Sequence, residues 1–480
     1  MEGRGRITMS GAVAEIVEQV RESLEHLRHP RQRPLIIALS GGVDSQVLAH
    51  ALLHIASEEG PVIHAIHVDH GLRPASASDA SRVQAICDAW DLSCQVVQVN
   101  VDAWDQVLGQ GVESAARHAR YAALASAAID NDTDTIVTGH TLDDQVETVL
   151  LRLISGTGLE GVSGMSEISR RPISLNPGRP ALRRLAIFRP LLNVTREQVE
   201  AYAAEAGIEP VEDESNESLA YRRNAIRHTV VPHLEAIEPA VRASIGRTTS
   251  LLHDDARFIA DTVDELFDDV VANRSGVLMI ERQQFRQIHT AIQRRILYRV
   301  IDSILGADAR ISQERSEALR TAAVDGQPGK IIELADDVIG YVDYDRLAIG
   351  QSATLEDDLR RLSWVPLLEP GTVVKLEGDV DVPLSNGWRV RGHAETDGEL
   401  VLRTRQDGDR TRGERKREIK LQDWFVNRKV PRYLRDWLPV VAFDGEVRWV
   451  IGLDMTEYPD SRSGVQLHLE LDTPGTSLPE

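Results

Sequence analysis

The stretch SGGVDS at residues 40 to 45 sets two glycines, two serines and an aspartate between the apolar run LIIAL and a segment of helical periodicity. At a junction of strand and helix, backbone N–H groups and the helix dipole attract an anion. Gly41 and Gly42 let the main chain come close to such a ligand, and Ser40 and Ser45 add hydroxyl donors. The lysine of GxxxxGK[ST] is absent, which removes the NTPase P-loop, and a plain tight turn accounts less well for six residues in this order. A second cluster, TGHTLDDQVET at 138 to 148, follows the run TIVT, and Thr141 with Asp144 three residues on has the pattern of a helix N-cap. Asp143, Asp144 and Glu147 then fall in the first turns of one helix. Acids there offset the macrodipole by roughly 0.3 to 1 kcal/mol each. At i and i+3, Asp144 and Glu147 can also share an ammonium group, at about 1.5 to 3 kcal/mol per charge-assisted hydrogen bond, with magnesium on one acid as the alternative.

Other segments supply positive charge. Arg117 and Arg120 share one face of the helical stretch VESAARHARYAAL, and Arg120 is the stronger candidate for a phosphate or nucleophile site. Arg222, Arg223 and Arg227 are spaced on one helix to meet a phosphate backbone, although ordinary surface arginines would look the same. The chain as a whole has a net charge of −21, which argues against nucleic acid, yet residues 403 to 435 hold 12 Lys and Arg against 5 acids. HVDHGLR at 67 to 73 reads as a polar rim beside a nucleotide, because no third or fourth metal ligand follows His67, Asp69 and His70. The acids of HDDARFIADTVDELFDDV read as a solvated helix face, and Cys87 and Cys94 as small core residues.

Short β-branched runs at 35 to 39, 62 to 68, 94 to 99 and 135 to 138 alternate with helical segments near 45 to 57, 78 to 90 and 113 to 129. This predicts an α/β domain with a doubly wound parallel sheet, whose ligands bind at the carboxyl ends of the strands. Thr195 and Gly207 bracket a further helix. The expected organisation is an N-terminal helix and tail over 1 to 33, a catalytic domain over 34 to 239 and a helical middle domain over 240 to 330. A connecting segment over 331 to 370, a small C-terminal α+β domain over 371 to 470 and a disordered tail follow. No apolar run reaches the roughly 20 residues of a membrane-spanning helix, and MEGRGRITMS lacks a secretory h-region, so a cytoplasmic location is expected.

SGGVDS resembles the pyrophosphate-binding loop of the PP-loop ATP pyrophosphatase superfamily. Taken with HVDHGLR, TGHTLDDQVET, GTGLEGVSGM, FRPLL, EDESN and YRRNAIRHTVVPHL, the chain from about 34 to 234 resembles the tRNA(Ile)-lysidine synthase family, and so does 406 to 441. The resemblance implies ATP, magnesium and L-lysine acting on the wobble cytidine of an isoleucine tRNA with a CAU anticodon. Ser40, Gly41, Gly42, Val43, Asp44 and Ser45 would bind the pyrophosphate of ATP, with Asp44 at the magnesium. Arg120 would stabilise charge at phosphorus, and His140 would lie by the reacting centre. Asp144 and Glu147 would orient the lysine amine, as general base or by position alone.

Arg222, Arg223 and Arg227, with Arg415, Lys416 and Arg417, would grip the tRNA, while Trp424, Phe425, Tyr433 and Trp437 belong to a core or stack on bases, core being preferred. A homodimer is one option for assembly. The chain departs from the family at 170 to 186, which is longer and more basic than usual, and at Gln46, where little effect is expected. The rivals are a tRNA thiolase, for which the cysteines are misplaced, and a non-catalytic tRNA-binding adaptor, which would not need Asp44, Asp144 and Glu147 together.

Overall fold

The computed structural model describes residues 11–27, 29–30, 33–57, 60–72, 76–109, 111–179, 183–209, 211, 222–305, 311–335, 337–412, 418–453 and 465–472. The chain divides into two units, Met1–Ile259 and Ala260–Glu480.

The first unit begins with α1 (Ala12–Leu27), then β1 (Leu35–Ala38), α2 (Val43–Ala56), β2 (Ile63–Asp69), α3 (Ser76–Ala89), β3 (Cys94–Gln98), α4 (Val101–Leu108) and α5 (Val112–Asp130). It continues with β4 (Thr135–Thr138), α6 (Leu142–Ser155), α7 (Leu159–Val162), the hairpin β5 (Ile168–Ile173) and β6 (Arg183–Phe188), and α8 (Arg196–Ala206). α9 (Arg222–Ala225), a π-helical turn (Ile226–Val230), α10 (Val231–Ile237) and α11 (Val241–Val270) follow.

The six strands form one sheet in the order β3-β2-β1-β4-β6-β5, parallel except for β5 against β6. Side chains of β1 alternate across it. Leu35 and Ile37 join one core with Val17, Val47, Leu52 and Tyr202, and Ile36 joins the other with Leu124, Ala128 and Ile187. Helices therefore cover both faces, as the alternating runs predict. The connection from β3 crosses back to set β4 on the far side of β1, so the strand order reverses between β1 and β4. A crevice at such a switch point is where this architecture binds ligands.

The second unit pairs β7 (Val271–Arg274), β8 (Val277–Glu281), β9 (Ile331–Ala335), β10 (Val338–Val342) and β11 (Arg346–Gln351) in one antiparallel sheet of order β7-β8-β11-β10-β9. α12 (Arg282–Gln287), α13 (Thr290–Leu305) and α14 (Gln313–Asp325) accompany it. Hence the stretch expected to be purely helical contains a hairpin, and part of the expected connecting segment supplies strands. VLMI is too short for periodicity to separate strand from helix, but Ser275 and Gly276 both have positive φ, 53° and 87°, which makes the tight turn.

After α15 (Leu355–Arg361) come β12 (Val373–Lys375), β13 (Gly378–Pro383), β14 (Arg389–Thr396), β15 (Leu400–Arg403), β16 (Arg410–Arg412), β17 (Glu418–Lys420) and α16 (Leu421–Asn427). β18 (Val440–Phe443), β19 (Glu446–Val450) and β20 (Val465–Asp472) complete sheets of order β12-β15-β18-β19 and β13-β14-β20. Trp424 and Phe425 are buried with Leu434 and Leu438, and Tyr433 and Trp437 pack against them, so these aromatics serve the core.

Candidate active site

The loop after β1 and the loop after β4 flank the switch point. Gly41 has φ +89°, where a Cβ would meet the Val83 side chain at 2.9 Å, so glycine is required there. Gly42 is the N-cap of α2 and no side chain caps that helix, leaving its first-turn N–H groups available to an anion. The serines are turned inward: Ser45 Oγ donates to the Gly42 carbonyl at 2.8 Å and Ser40 Oγ to Ser45 Oγ at 3.1 Å. Gln46, expected to matter little, is buried, and its amide donates to the Gly41 carbonyl at 2.6 Å and to the Glu209 carbonyl at 3.3 Å. It braces the loop from below. At the neighbouring loop Gly139 allows close approach, since a Cβ there would lie 3.0 Å from the Asp44 carbonyl oxygen.

Asp44, in the first turn of α2, pairs with Arg196 at 3.2 Å. Burial is the main reason its carboxyl is pushed up to about 6, with Arg196 opposing and Asp144 and Asp143 adding to the rise. Three carboxylates thus face one another across the crevice. Among the described residues no group of three or more His, Cys, Asp or Glu is arranged to hold a metal ion. A single carboxylate with like-charged neighbours still suits magnesium, which keeps several waters and binds through one or two carboxylates plus phosphates.

Thr141 and Asp144 form the expected capping box on α6, the Thr141 N–H donating to Asp144 Oδ2 at 2.9 Å. Asp143 binds Arg242 and the backbone N–H of Arg196, the latter at 3.1 Å. His140 Nδ1 lies 2.7 Å from Thr138 Oγ1. Burial first, then Arg189, Arg120 and Arg223 against the pull of Asp144, hold its imidazole well below the ordinary range and therefore neutral.

Arg223 and Arg227, expected on an RNA backbone, meet the acids instead. Arg223 donates to Glu147 Oε2 at 2.6 Å and to Asp144 Oδ1 at 2.8 Å, and Arg227 donates to Glu147 Oε1. The cause is packing, because Ile226 and Val231 bury against Val146 and turn the arginines onto α6. Arg222, the third of that set, reaches Ser155 Oγ at 3.3 Å. Arg120 is enclosed next to Arg117, Arg223 and Asp144, and burial lowers its pKa. In HVDHGLR, Asp69 closes its own turn by accepting the Gly71 N–H at 2.9 Å.

In the second unit much of the basic stretch is paired internally. Arg403 makes a buried two-pronged pair with Asp409 at 2.7 and 2.8 Å, Arg405 pairs with Asp436, and Arg410 pairs with Glu418. A cavity of about 350 Å³ is lined by Arg405, Gln422, Arg432, Arg435 and Asp436. Arg415, Lys416 and Arg417, and the EDESN stretch, lie outside the described residues.

Arg196, Arg242 and Gln46 were missed by sequence reasoning. The two arginines lie 152 and 99 residues from the acids they hold and carry no local signal, whereas Gln46 sits beside the loop and its polar side chain on a buried helix face was the available sign.

Residues 14–234 match the model of a PP-loop domain, and 400–471 that of a TilS substrate C-terminal domain. A tRNA(Ile)-lysidine synthase of Dehalococcoides mccartyi is 29% identical over 439 residues, covering 88% of this chain and 91% of that protein. The Bacillus subtilis protein of the same name is 28% identical over 446 residues, covering 89% and 91%. One from Pseudomonas fluorescens is 40% identical over 219 residues, covering 45% and 46%. With the PP-loop at the switch point, both domain types on one chain and relatives alike along most of its length, the chain belongs to the tRNA(Ile)-lysidine synthase family.

Proposed function

We propose that the protein is an ATP-dependent ligase that joins L-lysine to C2 of the wobble cytidine of an isoleucine tRNA with a CAU anticodon. The observation that carries this reading is the presence of both the PP-loop domain and the TilS C-terminal domain on a single chain. The cytidine C2 oxygen attacks the α-phosphorus of ATP, a P–O bond forms and pyrophosphate leaves. The lysine amine, having given up a proton, then attacks C2 and AMP departs with the former C2 oxygen.

The first-turn N–H groups of α2 hold the departing pyrophosphate. Asp44 holds magnesium, which offsets phosphate charge when bound. Arg120 sits beside the reacting phosphoryl group and stabilises its developing charge. Neutral His140 adds no charge at that point and can exchange a proton through Thr138. Asp144 and Glu147 receive the lysine ammonium in place of an arginine.

The test is incubation with ATP, labelled lysine and isoleucine tRNA bearing CAU. Label should enter the tRNA only when ATP is present and the anticodon is CAU; a labelled-lysine count at background would end the reading. Gly139→Ala should raise the KM for ATP about tenfold, near 1.4 kcal/mol, because the added methyl must push the Asp44 backbone away. An unchanged KM would show that the two loops tolerate separation.

A further inference from the structure

The hairpin β5 to β6 is the basic stretch in which the chain departs from its family, and it forms the outer edge of the sheet. Its arginines meet those of α5 around one residue. Tyr121 is buried on α5, and the guanidinium carbons of Arg171, Arg117 and Arg120 stand 4.6, 5.2 and 5.6 Å from its ring centroid. Arg189, directly after β6, is 4% exposed and is anchored by donating from Nη1 to the Ser166 carbonyl at 2.8 Å and to Ser169 Oγ at 3.1 Å. Arg152 is anchored to the Gly164 carbonyl at 2.7 Å.

These cations crowd one another. Burial and then Arg117 and Arg171 lower the Arg152 pKa, and the same two arginines act with burial on Arg189. Two buried polar atoms at the centre, Tyr121 Oη and Arg189 Nε, have no hydrogen-bond partner. A fold that gathers like charges in a partly dry place raises its own energy, and an anion would lower it. The unmatched donors ask for the same thing.

We propose that this cluster is a binding site for a phosphodiester of the RNA strand beside the reacting nucleotide. The proposal rests on the function proposed above. The site adjoins the reaction centre, because Arg120 and Arg189 both act on His140. It is not the nucleotide's own phosphate site, since the PP-loop follows β1 and the cluster lies beyond β4, toward β6 and β5. An edge hairpin is open to a polymer arriving from outside, and a strand feeding its base to His140 has to run past one side of the crevice. Guanidinium groups, planar and forked, are the side chains best matched to phosphate oxygens.

The experiment measures binding of a CAU anticodon stem-loop RNA by the full chain and by Arg117→Gln and Arg171→Gln, singly and together, across a range of salt. ATP affinity and thermal midpoint are measured alongside. The double variant should bind RNA at least tenfold more weakly at 0.15 M salt and lose about 1.4 from the slope of log K against log salt, the value for two single-strand phosphate contacts. ATP affinity should hold, and the midpoint should not fall, because relieving crowded charge does not weaken a fold. Wild-type binding with undiminished affinity in the variants overturns the site and leaves the ligase reading standing. Loss of ATP affinity with RNA binding unchanged assigns the anion to the nucleotide and also overturns it. A wild-type protein that binds no RNA overturns the site and the ligase reading together.

Discussion

Arg223→Gln should destabilise the first unit by about 2 to 3 kcal/mol and lower its thermal midpoint by about 5 °C or more. The Glu147 side chain is only 2% exposed, and Arg223 and Arg227 take one of its oxygens each. Removing one partner from a buried carboxylate leaves charge that neither water nor protein satisfies, at about 3 to 5 kcal/mol for a full break. Arg227 remains, so the lower part of that range is expected. Glu147→Gln in the Arg223→Gln background should restore most of the loss, because the stranded charge goes with it. If the two changes simply add, the buried-pair argument fails.

The same pair has a consequence for the substrate. Asp144 Oδ2 is engaged by the Thr141 N–H, Asp144 Oδ1 by Arg223, and both Glu147 oxygens by arginines. A lysine ammonium must displace a guanidinium to reach them. Lysine binding by Arg223→Gln, followed by calorimetry, should therefore tighten several-fold although the variant is less stable. Weaker binding would make Arg223 a lysine contact and not a competitor.

Local chemistry was legible in the sequence because its signals are local. SGGVDS announces a tight anion-binding turn through residue types that only such a turn requires, and Gly41 at positive φ bears it out. Thr141 and Asp144 announce a cap, and the cap forms. The four runs predicted as strands are strands, since apolar β-branched runs between helical periods have few other uses. What escaped depends on distance along the chain. No pattern near Asp44 points to Arg196, and nothing in RRNAIRH says whether its arginines face solvent or α6, because that is fixed by Ile226 packing on Val146. Charge counts fail for the same reason: Arg403 adds to the basic tally of its segment while its charge is cancelled by Asp409. The β7 to β8 hairpin escaped because a four-residue apolar run embedded in helices has no period of its own.

Asp44→Asn should make the free protein more stable at neutral pH and inactive. Burial and the neighbouring Asp144 and Asp143 push the Asp44 carboxyl up to about 6, even with Arg196 opposing. A carboxyl whose pKa is higher in the fold than in the unfolded chain favours folding when protonated. The penalty for charging it is absent below the unfolded value of 3.8, develops as pH rises through about 6, and is complete above that. Two pH units correspond to roughly 3 kcal/mol, and with the side chain 30% exposed about 2 kcal/mol is a fair discount for solvent. Asparagine keeps the shape and removes the charge, while Arg196 retains Glu200 at 2.8 Å. The variant's midpoint should thus exceed that of the wild type by several degrees at pH 7.5, and the gap should close near pH 4. Addition of ATP and magnesium should reverse the order at pH 7.5, because the charge that weakens the empty fold is the one that holds the metal and its nucleotide. Melting curves of both proteins at pH 4 and 7.5, with and without ATP and magnesium, provide the check. A gap that is independent of pH, or a variant that ATP and magnesium stabilise as much as the wild type, would remove Asp44 from the site.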